Sequence, residues 1–174
     1  MSIIHFAGDT WLTRIDERDP SDGALRIASA MGELASRQAP GSTIYVAHDA
    51  RPLSGALAPD VSGVIAAYGL HVVMGDGHCT MSALAEATRR DPKASAALAL
   101  TADYRPGDYF GIRVRMGDGS SASPADLEEF ESHIPAGLPK GRGAFERRDL
   151  MAPHRQTARV ARGSRQRGPR RGRR

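Results

Sequence analysis

The chain has 174 residues, with 24 lysines and arginines against 20 aspartates and glutamates and a formal net charge of +4. That length suits one domain whose core holds without disulfides, and the single cysteine, Cys79, excludes an intramolecular bridge. No apolar run approaches the roughly 20 residues of a membrane helix, and residues 1–5 carry neither the basic nor the long apolar stretch of a signal peptide, so a cytoplasmic protein without membrane contact is expected.

Residues 3–6 (Ile-Ile-His-Phe) read as a short β-type run before Gly8. Ala24, Ile27, Ala28, Met31, Leu34 and Ala35 recur at helical spacing over 23–38, and Pro40-Gly41 ends that helix. Residues 43–47 are β-rich and apolar enough for a buried strand. Leu57, Val61, Val64, Ile65 and Tyr68 trace a second helix, with Gly69 as its C′ residue. Residues 72–74 give another strand, 81–90 a third helix and 96–100 a further buried strand. Ile112, Val114 and Met116 alternate with Arg113 and Arg115, the pattern of a half-exposed strand. Ser123 as N-cap, Pro124 at N1 and Asp126 in the first turn start a helix that runs to about Ile134. Strands alternating with helices predict α/β layers around a mostly parallel sheet. Ligands then bind beyond the carboxyl ends of the strands.

Charge divides the chain in two. Residues 151–174 hold nine arginines and no lysine, aspartate or glutamate, whereas the preceding 150 carry 15 basic and 20 acidic groups. The division expected is a domain over 1–134, a linker over 135–152 and a disordered, arginine-rich tail over 153–174. The tail would attract nucleic acid or an acidic partner by charge alone, without base specificity, since no aromatic groups interleave it. The favoured reading is instead the product of a truncated or frame-shifted gene.

Four patches in order carry a resemblance. Phe6-Ala7-Gly8-Asp9-Thr10-Trp11 is similar to F-G-T-D-G-W, and residues 46–54, which include His48, Asp49 and Arg51, to V-x-G-x-D-x-R-x-S. Cys79-Thr80-Met81 falls at a P-T-P position. Thr101-Ala102-Asp103-Tyr104-Arg105-Pro106, followed by Tyr109-Phe110-Gly111-Ile112-Arg113-Val114, resembles T-A-S-H-N-P and Y-N-G-I-K-V. Together these resemble the first domain of the phosphoglucomutase/phosphomannomutase (phosphohexomutase) family. The resemblance implies a three-layer α/β/α fold with a mixed, mostly parallel sheet. It also implies intramolecular phosphotransfer on hexose phosphates, an isomerase reaction of carbohydrate metabolism. In the family a phosphoserine carries the phosphoryl group, and Mg²⁺ bridges it to an aspartate-rich loop of the second domain.

Asp103 stands at the phosphoserine position, which is also the family's metal-facing position. A carboxylate cannot form a phosphate ester. Three readings stay open: an acyl-phosphate carrier, a fixed negative charge in place of a phosphate, or a solvated loop residue. Thr101, Tyr104, Arg105, Asp49 and Arg51 are the expected loop supports. Arg105 reads as a surface arginine beside a proline, or else pairs with Asp103 or holds a phosphate, and Tyr104 caps the core or meets a ligand. Asp49 and Arg51 brace the loop. Gly111 is expected as a tight position before a strand. His71, His78 and Cys79 match no zinc spacing, Glu128, Glu129 and Glu131 read as an exposed helix face, and Asp118 as a turn. The family's D-G-D-G-D-R metal loop does not occur in the sequence. No turnover is expected from this chain alone, a pseudoenzyme reading. Activity in trans, with another chain supplying metal and sugar sites, is the enzymatic alternative.

Overall fold

A computed structural model of the chain describes residues 4–17 and 19–152. The arginine-rich tail beyond residue 152, and Ile3 of the first expected strand, lie outside the described residues. The elements in chain order are β1 (Thr10–Arg14), α1 (Pro20–Gln38), β2 (Thr43–His48), α2 (Pro52–Ala66), β3 (His71–Gly75), α3 (Met81–Arg90), β4 (Ala94–Leu100), β5 (Tyr109–Met116), α4 (Pro124–Ser132) and β6 (Glu146–Arg148). The strands form one sheet in the order β1-β5-β4-β2-β3-β6. β4, β2, β3 and β6 run parallel, while β5 pairs antiparallel with β4 and β1 antiparallel with β5. The expected mixed, mostly parallel α/β sheet is thus observed.

Two cores explain why the central strands read as continuous apolar runs. Successive side chains on a strand point to opposite faces, and both faces here are covered. Ile44 and Val46 of β2, Val72 and Met74 of β3, and Leu98 and Leu100 of β4 enter the larger core with Ile27, Met31, Val61, Ile65, Leu127 and Phe130 of α1, α2 and α4. Tyr45, Ala47, Val73, Ala97 and Ala99 enter the smaller one, closed by Leu84 of α3 and by Leu150. The helix starts follow capping chemistry. Asp19 accepts the Ser21 backbone N–H before Pro20-led α1, and Ser123 and Asp126 form a reciprocal capping box on α4.

The structure departs from the sequence pattern in four places. Residues 4–6 form no strand; Phe6 is buried, sets its ring edge-on to Phe130 at 5.6 Å, and donates its N–H to the Glu131 carboxylate. Glu131 is therefore a tether for the amino-terminal segment rather than part of a solvated face. The first strand is β1, with Trp11 buried edge-on to Phe110 at 6.2 Å. Gly69, expected at C′, takes φ +80° one residue further on, at C″, since α2 is capped at Ala67. Within the segment read as linker, β6 adds to the free edge of β3, and Gly143 donates its N–H to the Gly63 carbonyl at 2.7 Å.

Cys79 packs against the smaller core. Burial pushes its thiol up to about 11, and the Asp149 charge adds to the shift. Only the thiolate is nucleophilic, so at pH 8 alkylation of the native chain by iodoacetamide is predicted to run roughly a hundredfold slower than in the urea-unfolded chain. Equal rates would contradict this burial.

Candidate active-site loop

The loop that joins β4 to β5 stands beyond the carboxyl end of β4, beside the residues that leave the carboxyl end of β2. This is where parallel α/β sheets place ligands. Thr101 donates its N–H to the Gly111 carbonyl at 2.9 Å and its Oγ1 accepts the Asp103 N–H at 3.0 Å. Asp103 takes φ +55°, the one non-glycine residue among those described to adopt positive φ. Aspartate tolerates that region better than most residues. A conformation of this kind, held by its surroundings, is often found at functional sites.

Arg51 clamps the loop. Its Nε donates to the Asp49 carboxylate at 3.1 Å, and the other Asp49 oxygen accepts the Arg51 backbone N–H at 3.0 Å. One terminal nitrogen donates to the Pro106 carbonyl at 2.8 Å and to that of Tyr109 at 3.5 Å. The other donates to the carbonyls of Arg105 at 2.5 Å and Asp103 at 3.3 Å. Arg51 thus meets the backbone of Asp103, not its carboxylate.

The carboxylate of Asp103 lies 3.4 Å from Nη1 of Arg113. Arg113 also grips Asp9 through Nε at 3.2 Å and Nη2 at 3.0 Å. Arg115, on the same face of β5, reaches Asp9 at 3.4 Å and hydrogen-bonds Ser121. Asp9, Arg113 and Arg115 are mostly buried, whereas Asp103 is 42% exposed. Burial pushes the Asp9 carboxyl up, but hydrogen bonds from Arg113, Thr10 and Ser121 outweigh it and hold Asp9 below its ordinary value. A depressed carboxyl stabilises the fold above its unfolded value of about 3.9, and that contribution is lost as pH falls through the folded value. The difference in melting temperature between the native chain and Asp9→Asn is therefore predicted to stay constant from pH 7 to 5 and to shrink below pH ~4. A difference unchanged down to pH ~2 would contradict it.

The remaining expected residues divide. Arg105 enters no ion pair among the described residues; its guanidinium lies 5.8 Å from the Tyr109 ring centre, with that of Arg14 5.9 Å away. Tyr104 is 98% exposed and caps nothing. Gly111 lies inside β5, not before it. Asp118 accepts the Ser120 N–H within a turn, and His71 faces Glu146 at 3.4 Å. A recess of about 420 Å³, lined by Ala7, Thr10, Leu12 and residues 102–105, opens beside Asp103. Asp9, Arg113 and Arg115 escaped the sequence reading as site residues. The signal available was the two-residue spacing of the arginines on β5, which places both on one face.

The family model for phosphoglucomutase/phosphomannomutase, alpha/beta/alpha domain I, matches residues 11–139, and the chain belongs to that family. Among solved structures, a protein assigned as a phosphomannomutase in Thermus thermophilus is 27% identical, with a TM-score of 0.81 over 92% of this chain and 36% of that one. A phosphoglucomutase/phosphomannomutase family protein from Burkholderia thailandensis is 19% identical, with a TM-score of 0.68 over 84% of this chain and 33% of its own. Parafusin, a phosphoglucomutase of Paramecium, in its open form, is 13% identical, with a TM-score of 0.72 over 88% and 34%. The last two share the fold. The chain spans about a third of the length of each structure. No curated protein matches the sequence significantly.

The family in general depends on Mg²⁺. Among the described residues no three His, Cys, Asp or Glu side chains gather where they could hold a metal ion. The Asp103 carboxylate faces a guanidinium, a cation where a metal site needs further oxygen donors. The described residues do not fit such a site. No described helix is long and apolar enough to cross a membrane.

Proposed function

We propose that this chain serves as the first domain of a phosphohexomutase-type protein, and that its transfer loop is in a form that does not carry phosphate. The substrate class is a hexose phosphate, taken from the family. The observation that carries the reading is Asp103 itself. It occupies the loop position where the family has its phosphoserine, lacks a hydroxyl to esterify, and has its carboxylate turned to Arg113. The loop around it keeps its clamp through Arg51. Fixed charge in place of a transferable group is the role this supports. Magnesium and sugar contacts would come, on this reading, from further domains of the kind that make up the rest of the relatives' length, supplied by another chain. A cytoplasmic setting is part of the same proposal, in keeping with one unbridged cysteine.

A coupled assay tests it. The full chain is incubated with glucose 1-phosphate, catalytic glucose 1,6-bisphosphate and Mg²⁺, and glucose 6-phosphate is followed. The expected result is no rate above the protein-free blank. Sustained turnover that scales with protein concentration would overturn the proposal.

A further inference from the structure

We propose that the free edge of β1 is a docking surface for a second copy of this chain, the two β1 strands pairing antiparallel about a two-fold axis so that one sheet runs through both copies. The proposal stands whatever Asp103 does.

The sheet has two edges, β1 and β6, and they are built differently. β6 is three residues long, and its Glu-Arg-Arg side chains are all exposed. Short, charged edges of that kind resist further pairing. β1 is five residues long, Thr-Trp-Leu-Thr-Arg, with its one charge at the end. It has no proline, bulge or central charge to blunt it. Ile15, directly after it, is one of three exposed large apolar side chains among the described residues. Tyr104, another of the three, lines the recess beside Thr10 and Leu12.

Backbone bonding sets the register. Val114 donates its N–H to the Asp9 carbonyl at 3.1 Å, and Ile15 donates to that of Asp108 at 2.9 Å. The odd-numbered residues of β1 therefore bond β5, and the N–H and carbonyl groups of Thr10, Leu12 and Arg14 point the other way. The Thr10 carbonyl is taken by the Ala7 N–H at 2.9 Å. No backbone group of a described residue meets Leu12 or Arg14 on that side. An antiparallel partner that uses both residues sets Leu12 of one copy against Arg14 of the other, each pair exchanging both of its hydrogen bonds. Thr13 then faces Thr13 on the axis, a favourable cross-strand pair. The two-fold axis makes every contact occur twice.

Charge selects the same partner. Around Arg14 stand three carboxylates, Asp16, Glu17 and Asp108. The Thr10 end has the opposite balance, with Arg105, Arg113 and Arg115 against Asp9 and Asp103. An antiparallel second copy lays the acidic end of each β1 along the basic end of the other. A parallel copy would set like against like.

Sedimentation of the full chain at pH 7.5, from about 5 μM to about 0.2 mM, is one arm of the test. The expected result is a monomer–dimer equilibrium in the micromolar range, weakened at least about tenfold by Leu12→Lys, which sets a cation against Arg14. Oxidative cross-linking in a Cys79→Ala background is the other arm. Thr13→Cys is expected to give a disulfide-linked dimer, because residues facing each other in a non-hydrogen-bonded pair have Cα atoms about 4.5 Å apart. Leu12→Cys is expected to give none, because its two copies stand roughly 9 Å apart, beyond disulfide reach. Far-ultraviolet spectra and melts confirm folding. A native chain that stays monomeric over the whole range would overturn the proposal. So would a dimer that survives in folded Leu12→Lys, a folded Thr13→Cys that does not cross-link, or equal cross-linking by both cysteines. The native arm needs no substitution, so the proposal can fail even where a variant does not fold.

Discussion

Replacement of Arg51 by methionine is expected to lower the unfolding free energy by about 2–3 kcal/mol and to free the 103–109 loop. Methionine keeps much of the stem's volume and removes every donor. Four loop carbonyls and the Asp49 carboxylate lose their shared partner at once. The carbonyls turn to water, since much of this loop is exposed. Asp49, with a side chain 24% exposed, is left half-buried without its guanidinium. Breaking a fully buried pair costs about 3–5 kcal/mol, and the partial exposure here places the loss below that range. Urea denaturation gives the total, and amide hydrogen exchange over 101–111 localises it. A loss under about 1 kcal/mol, with protection of the loop unchanged, would show that Arg51 is ornamental.

Gly111→Ala is expected to cost about 3 kcal/mol or more, by crowding rather than by lost contacts. A Cβ built at this position stands 2.7 Å from the Thr101 carbonyl oxygen, 2.7 Å from that of Trp11 and 2.7 Å from Cδ2 of Leu12. Leu12 can rotate away. The two carbonyl oxygens cannot, because Gly111 sits opposite Leu12 in the β1–β5 ladder and its carbonyl receives the Thr101 N–H. Relief therefore comes only by prising β1 or the start of the 101–109 loop from β5. Gly107→Ala is the matched control in the same loop. A Cβ there meets nothing within 4 Å, so its effect should stay within about 0.5 kcal/mol. Equal stability of the two variants in thermal and urea melts would contradict this packing.

What could be seen in the sequence follows the physics of burial. β2 and β4 are covered on both faces, so nearly every residue is apolar and the strands announce themselves. α3 falls at the bounds its pattern suggested because Thr80 caps one end and Asp91-Pro92 ends the other. β6 left no trace, since all three side chains are exposed and only backbone pairing with β3 makes Glu-Arg-Arg a strand. β1 was hidden for a related reason: an edge strand with one buried end lacks a clean alternation.

The candidate site divides along the same line. Thr101, Asp103, Asp49 and Arg51 stood out because short spaced patterns carry them. The pairing of Asp9 with Arg113 spans 104 positions and exists only because β1 lies antiparallel on β5. Local pattern offers no view of such a contact. Tyr104 shows the opposite failure. Its place in the loop suggested a core or ligand contact, but it follows the positive φ at Asp103 and ends in solvent.

The central claim concerns chemistry at a single side chain, and intact-protein mass spectrometry reads it directly. The native chain is held with glucose 1,6-bisphosphate and Mg²⁺ at neutral pH and measured at once, with and without hydroxylamine, which cleaves acyl phosphates. The account predicts an unchanged mass in both arms. A phosphoryl adduct on Asp103 that hydroxylamine removes would contradict it.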